Sequence, residues 1–315
     1  MFSRVNSLLR AIEANTRLTT NPRYSVTLLA AQKLRVLIIY AGRTLFEAKL
    51  LNSAHRHTKK VKGTCGNKDA LIIAGGPSVN RLNVQNVVNA QARGELDVFA
   101  LNWYPLGKIA EQLKPDYFCL SDPINKPGSK KAFKGNNSEI IWDYLDRSPK
   151  TKLLLPHNWM NLSQAIKNEV AIWLDDRELV GWSKSISPTK PRGYASLTAH
   201  KTIAAASYFG HKRIFLIGLD NSLFKNVEVD EENRIVETPS HFYDNEFSEN
   251  IQTQHLYPNG MQSVLYNYSL VFVDLFACFR LENIFNLDER SLTDSMKKTS
   301  NYLLKEHITE NKNQP

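Results

Sequence analysis

Residues 70–78 read Ala70-Leu71-Ile72-Ile73-Ala74-Gly75-Gly76-Pro77-Ser78, and their reading decides the fold. Five small or branched apolar residues make a buried strand that runs straight into a glycine pair, a proline and a serine. Glycine has no Cβ, so backbone N–H groups at Gly75 and Gly76 can approach an anion closely. Ser78 suits a helix N-cap, and helix N-termini attract phosphate through their unpaired N–H groups and the helix dipole. The pattern predicts the first strand and phosphate loop of a nucleotide-binding α/β domain. It is neither a dinucleotide fingerprint, which needs Gly-x-Gly-x-x-Gly, nor a P-loop, which needs a Gly-Lys-Ser/Thr ending. A strand-to-helix turn built on glycines for structural reasons alone would read the same way.

Outward from this stretch, short apolar runs alternate with helical segments. Strands are predicted at Leu71–Ala74, Asp97–Leu101, Tyr117–Leu120, Lys152–Leu155, Arg213–Ile217 and Asn283–Leu287. Such alternation implies a Rossmann-like, mostly parallel sheet with helices on both faces. An Ala-rich helix is predicted from Ser196 to Phe209, closed by Gly210, and an apolar core helix over about Met261–Leu281. Ile172-Trp173-Leu174 reads as the end of a helix. Lys126–Asn137 and the acidic stretch Asn226–Pro239 read as mobile loops. The predicted organisation is a basic helical N-terminal extension over 1–62, a nucleotide-binding catalytic domain over 63–305, and a disordered tail over 306–315.

The net charge of +9 is unevenly placed. Residues 1–62 hold twelve Lys and Arg against Glu13 and Glu47, a net +10 that leaves −1 for the rest. Within this segment apolar residues recur at helical spacing with basic ones between them. Its longest uncharged run, Tyr24–Gln32, is far short of the ~20 residues that span a bilayer. A basic amphipathic helix over residues 24–50 suits peripheral contact with an anionic membrane. The alternative reading is a helix packed on its own domain or on a second copy in a homo-oligomer. Nucleic acid is not expected as a partner, because the segment is poor in stacking aromatics and matches no binding motif. Cys65, Cys119 and Cys278 are odd in number and without metal-ligand spacing, which argues against a disulfide framework and for a reducing cytoplasm. No secretory signature is read at the N-terminus.

In open parallel sheets, ligands bind outside the carboxyl ends of the strands. Those ends are polar here: Gly75-Gly76-Pro77-Ser78, Asn102, Ser121-Asp122, His157-Asn158 and Gly218-Leu219-Asp220-Asn221. The segments Gly76-Pro77-Ser78, Asp97 to Asn102, Tyr208 to Asp220, Ser240-His241-Phe242 and Asn286 to Leu292 resemble bacterial lipooligosaccharide sialyltransferases. Lys114 to Pro123 is closer to the related MptE-like (6-hydroxymethylpterin diphosphokinase) family and to flagellin-modifying motility accessory proteins. Together the matches span about residues 69–295.

The resemblance implies a cell-surface glycosyltransferase with a CMP-sugar or other nucleotide-activated donor and a glycan or lipid-linked acceptor. It would place Gly75, Gly76, Pro77, Ser78 and Asn102 on the nucleotide, with Ser196 or Thr198 near it at the helix start. Gly218 and Asp220 would meet the ribose or base, and Ser291 the last phosphate-facing turn. Asn221 and Tyr243 would contact donor or acceptor. One departure matters. The sialyltransferase base is the second histidine of Ser-His-Tyr-x-x-His, and here that position is Asn245. Asparagine does not titrate, so the base passes to His241, whose side-chain type titrates near neutrality, or to Asp122. The MptE-like alternative is diphosphate transfer from ATP to a pterin-like alcohol, with Mg²⁺ on Asp122 and Asp220. A third reading is a membrane-recruiting scaffold without catalysis. Neither cofactor nor metal is required by the residues, and Mg²⁺ is the one cofactor they admit. Asp175-Asp176 reads either as a metal-holding acidic pair or as a solvated turn. His157, His200 and His255 are weaker site candidates, and Trp103, Tyr104 and Trp159 could stack on a ligand or pack in the core.

Overall fold

The computed structural model describes residues 22–129, 138–179, 182–194, 197–221, 225, 227–233, 235–237, 241–242, 254–255, 282–293 and 296–305. The predicted helix over 261–281, the tail over 306–315, and Ser196, Tyr243 and Asn245 lie outside them.

The apolar runs form parallel strands where the sequence places them. They are β1 (Asp69–Ile73), β2 (Leu96–Leu101), β3 (Tyr117–Cys119), β4 (Lys152–Pro156), β6 (Ile214–Ile217) and β10 (Ile284–Asn286). Two further strands extend the sheet, β5 (Val170–Leu174) and β11 (Lys297–Lys298), giving the order β11-β10-β6-β1-β2-β3-β4-β5. Every neighbouring pair in it is parallel. The fold is thus α/β and Rossmann-like. Side chains alternate between two cores, as the period of two along a strand requires. Leu71 and Ile73 of β1 face one core with α2 (Val84–Ala92) and α3 (Glu139–Asp146). Ala70, Ile72 and Ala74 face the other with α4 (Thr198–Phe209), whose Ala204, Ala205 and Ala206 let the helix lie close to the sheet. Each fully buried Leu, Ile or Phe contributes roughly 1.5–3 kcal/mol.

Three local expectations are corrected. Ile172-Trp173-Leu174 is strand, not a helix end, since it pairs with β4. Val227–Val229 and Ile235–Glu237, expected as loop, form β7 and β8 of an antiparallel hairpin turning through Asn233 at φ 58°, with Gln254–His255 (β9) added alongside. The β-branched residues at both arms favour extended backbone despite the acidic composition. Ser78 caps no α-helix: Pro77–Arg81 is a 3₁₀ turn, and α2 starts later on Asn83, whose side chain accepts from Asn86 N at 3.1 Å.

The basic N-terminal segment forms α1 (Pro22–Thr58). Its C-terminal half packs on its own domain and covers β5, the edge strand. Thr58 Oγ1 accepts from Trp173 N at 3.0 Å and donates to Trp173 O at 3.2 Å, and His57 Nε2 donates to Val170 O at 2.6 Å. A strand edge left open would offer unpaired backbone groups to other chains, and α1 occupies them. The opposite face of α1 is solvent-facing, with Leu45 and Phe46 78% and 79% exposed. No helix among the described residues is long and apolar enough to cross a membrane.

Candidate functional site

β1 has β2 on one side and β6 on the other, so the chain's winding reverses between β1 and β6. At such a reversal the loops leaving adjacent strands part and open a crevice. A cavity of about 420 Å³ lies there. Gly75, Gly76 and Pro77 line it from β1, Asn102 from β2, Asp122 from β3, Thr198 from α4, and Gly218, Asp220 and Asn221 from β6, with His241 beside them.

The glycine loop differs from an open anion cradle, because its donors are spent within the protein. Gly76 N donates to Gly218 O at 2.8 Å, Ser78 N to Asp220 Oδ2 at 3.0 Å, and Val79 N to Gly76 O at 3.3 Å. Pro77 has no N–H, which leaves Gly75 N without a partner among the described residues. Ser78 is buried and off the cavity wall. Its Oγ accepts from Gly218 N at 2.8 Å and donates to Asp220 Oδ1. Burial pushes the Asp220 carboxyl above the usual carboxylate range, against the opposing bonds from Ser78. The glycines therefore serve close packing of two loops. A Cβ on Gly76 would stand 2.5 Å from Asp220 Oδ2, and one on Gly218 2.7 Å from Ala74 O. Ser291 lies behind this junction, 1% exposed, with Oγ donating to Leu219 O at 2.7 Å.

The floor offers the anion-binding chemistry instead. The first N–H groups of α4 have no intrahelical acceptor, and Leu197, Thr198 and Ala199 carry that helix start into the cavity wall. Asn102, at φ 44°, donates from Nδ2 to Thr198 Oγ1 at 3.3 Å and accepts on Oδ1 from Asn125 Nδ2 at 3.2 Å. Thr198 Oγ1 is also hydrogen-bonded to Ser121 Oγ at 2.8 Å. These fixed amides and hydroxyls surround a positive helix end. Asn125 was not legible as part of the site, because its role exists only once Asn102 adopts the left-handed conformation beside it.

His241 is held at the rim by its neighbour. Phe242 N donates to Gly75 O at 3.0 Å, and the Phe242 ring is buried against Tyr104, centroids 6.3 Å apart. It fills the space over Gly107, where a Cβ would meet the ring at 2.1 Å. His241 Cδ2 then lies 3.6 Å from the position of a Gly75 Cβ. Asp122 is exposed on the same wall and caps the 123–125 turn by accepting from Ile124 N at 3.1 Å. Trp103 and Tyr104 line the cavity, whereas Trp159 is core.

The remaining candidates are elsewhere. His157 is fully buried between Leu174 O and Glu47 Oε2, at 3.1 and 2.6 Å. His200 is buried within α4, its ring edge-on to Tyr194, and His255 sits in the antiparallel sheet. Asp175 is paired with Arg177 and His55, and Asp176 with Arg192 and Lys201, so neither carboxylate is a solvated turn or an open metal ligand.

No protein-family model and no curated protein matches the chain. Among solved structures it is similar to a MAf glycosyltransferase from Magnetospirillum magneticum AMB-1, at 11% identity and a TM-score of 0.40. The alignment covers 94% of this chain and 47% of that one, so the chain spans about half that protein's length. At that level the likeness does not bear on chemistry.

Proposed function

We propose that this chain transfers a sugar from a nucleotide-activated donor, of the nucleoside-monophosphate (CMP) type, to a glycan or lipid-linked acceptor. The observation that carries the reading is the switch-point cavity, with a helix N-terminus and fixed amides on its floor and His241 on its rim. The spent donors of the glycine loop favour one phosphate over a diphosphate. Gly75 N and the start of α4 suffice for a single anionic group, where a longer phosphate chain would need the N–H groups that Gly218 and Asp220 occupy. Those same donors would stabilise the charge that develops on the departing phosphate. His241 would take the proton of the acceptor hydroxyl, with Asp122 the other base on the same wall. Asp220, by contrast, would act by holding the Ser78 turn in place.

A thermal-shift panel of CMP, UDP, GDP and ATP, each with and without Mg²⁺, tests this. Saturating CMP, at ~100 times its dissociation constant, is expected to add ~2.7 kcal/mol. Thr198→Val should weaken CMP about fivefold, the equivalent of one net hydrogen bond of about 1 kcal/mol. Stabilisation by ATP only with Mg²⁺ would favour diphosphate transfer, and no response to any nucleotide overturns both readings.

The outward face of α1 supports a lipid-linked acceptor. Leu34, Ile38, Leu45 and Phe46 are exposed beside exposed Lys49, Arg56, Lys59 and Lys60, a combination that suits an anionic lipid surface. The full chain is expected to co-sediment with vesicles rich in phosphatidylglycerol, and Leu45→Asp with Phe46→Asp to release it. Self-association dispersed by the same substitutions, without vesicle binding, would replace the membrane with a second copy.

A further inference from the structure

At the opposite, amino-terminal edge of the sheet lies a cluster that glycosyl transfer does not use. Cys65 sits in the turn between α1 and β1, Lys68 just before β1, Asp97 on β2 and His211 just before β6. The ligating atoms of Cys65, Asp97 and His211 all lie within 4.8 Å of one another. His211 is defined by its partners: Nδ1 lies 2.9 Å from Ala206 O and Nε2 3.0 Å from Asp97 Oδ2. A carbonyl and a carboxylate only accept, so both ring nitrogens carry protons and the ring is an imidazolium. The rings of Phe99 and Phe209 meet it edge-on at 5.4 and 5.9 Å and wall it from water.

Two cations, Lys68 and His211, thus bond the carboxylate of Asp97, with Lys68 Nζ at 2.8 Å and His211 Nε2 at 3.0 Å. Asp116, the nearby second acid, accepts from the neutral donors Val98 N at 2.8 Å and Gln91 Nε2 at 2.9 Å, and burial raises its carboxyl above the usual range. The Cys65 sulfur lies within 4.8 Å of the His211 ring, whose positive charge favours the thiolate. Cys65 Sγ has Tyr117 Oη at 3.9 Å, able to donate to it, and Thr64 Oγ1 at 3.8 Å, whose own proton goes to Val61 O at 2.9 Å. Burial keeps the Tyr117 phenol protonated. A divalent metal would compete with the Lys68 ammonium for Asp97 and with a proton for His211 Nε2.

We propose that Cys65 is a thiolate nucleophile, a modification site for small disulfides that is separate from the nucleotide cavity. Its sulfur attacks one sulfur of a low-molecular-weight disulfide. That S–S bond breaks, a mixed disulfide forms on Cys65, and the departing sulfur leaves with the electron pair and takes a proton from water. Cys65 is buried, 9% exposed as a residue, in a turn between exposed Thr64 and Gly66, and opening of that turn would admit the disulfide. Burial opposes ionisation of the thiol, but the neighbouring His211 imidazolium prevails and the thiol pKa is lowered. Burial likewise opposes the imidazolium, and the bonds to Asp97 and Ala206, with the charge of Cys65, push His211 up to about 9.

The test is the rate of iodoacetamide alkylation at Cys65 in the native full chain, resolved by peptide mass mapping. An ordinary thiol with a pKa of about 8.5 reacts roughly seventyfold faster at pH 8 than at pH 6. Cys65, its pKa lowered, is expected to change by clearly less than that over the same range, and His211→Gln to restore the steep dependence. Glutathione disulfide should add to Cys65 and spare Cys119, which is fully buried and whose thiol burial pushes up to about 11. An unlabelled Cys65, an ordinary pH profile, or one equivalent of zinc that blocks labelling would overturn the proposal. The wild-type profile decides even if His211→Gln does not fold.

Discussion

Gly218→Ala is expected to cost about 3 kcal/mol or more of stability and to abolish nucleotide-induced stabilisation. Gly218 has φ 78°, a conformation that strains any residue with a Cβ. The added methyl would also stand 2.7 Å from Ala74 O, 2.8 Å from Ala74 C and 2.8 Å from Val79 Cγ2. Ala74 directly follows β1 and is held there, because its N is bonded to Ile217 O at 2.8 Å. The loops after β1 and β6 would have to separate, breaking the bonds of Gly218 to Gly76 and Ser78. Urea denaturation measures the first effect and the nucleotide panel the second. A variant within about 1 kcal/mol of the parent that still responds to nucleotide would show that the junction is not needed to shape the cavity.

Arg177→Ala is expected to cost about 3–5 kcal/mol at pH 7, the usual consequence of stripping a buried charge of its partner. The Asp175 side chain is 0% exposed and receives Arg177 Nε at 2.9 Å and Nη2 at 2.7 Å, with His55 Nε2 at 3.1 Å. Arg177 also reaches α1, donating to Thr44 Oγ1 at 2.7 Å and lying over Tyr40 at 5.0 Å. Burial would push Asp175 up, yet the Arg177 and His55 bonds hold its carboxyl well below the usual range. A depressed carboxyl pKa stabilises the fold above the unfolded value of about 3.9 and loses that contribution only as pH falls through the folded value. In the variant the sign reverses: burial raises the pKa, and protonation relieves the penalty. The stability gap between parent and variant should therefore narrow as pH falls from 7 towards about 4. Asp175→Asn in the Arg177→Ala background should recover part of the loss, because no charge is then left buried. A gap that is constant with pH would mean that Arg177 acts through packing alone.

The alternating apolar runs were legible because a strand buried on both faces must be apolar along its whole length. β5 was missed for a reason found in its surroundings. It is an edge strand running into Asp175 and Asp176, and those carboxylates look solvated until Arg177, Arg192 and Lys201 are brought to them. The helical nature of residues 24–50 was legible from periodicity. Its docking was not, since Thr58 and His57 seek the open backbone of a strand more than 110 residues away.

The site divides in the same way. Gly75, Asn102, Thr198, Asp220 and His241 converge because strand ends of a parallel sheet all point one way, and that follows from the sequence pattern. What each residue does there depends on distant partners. Ser78 looks like a helix cap by local propensity, but Asp220, 142 positions later, takes both its N–H and its hydroxyl. Ser291 looks like a phosphate contact, but the carbonyl of Leu219 claims it. Sequence by itself determined the layers, the strand ends and the glycine positions, since apolar pattern and backbone sterics are local properties. Only the tertiary structure decided which donors remain open to a ligand. Hydrogen-bond capacity is finite, and its use is settled by whichever partner folding brings within reach.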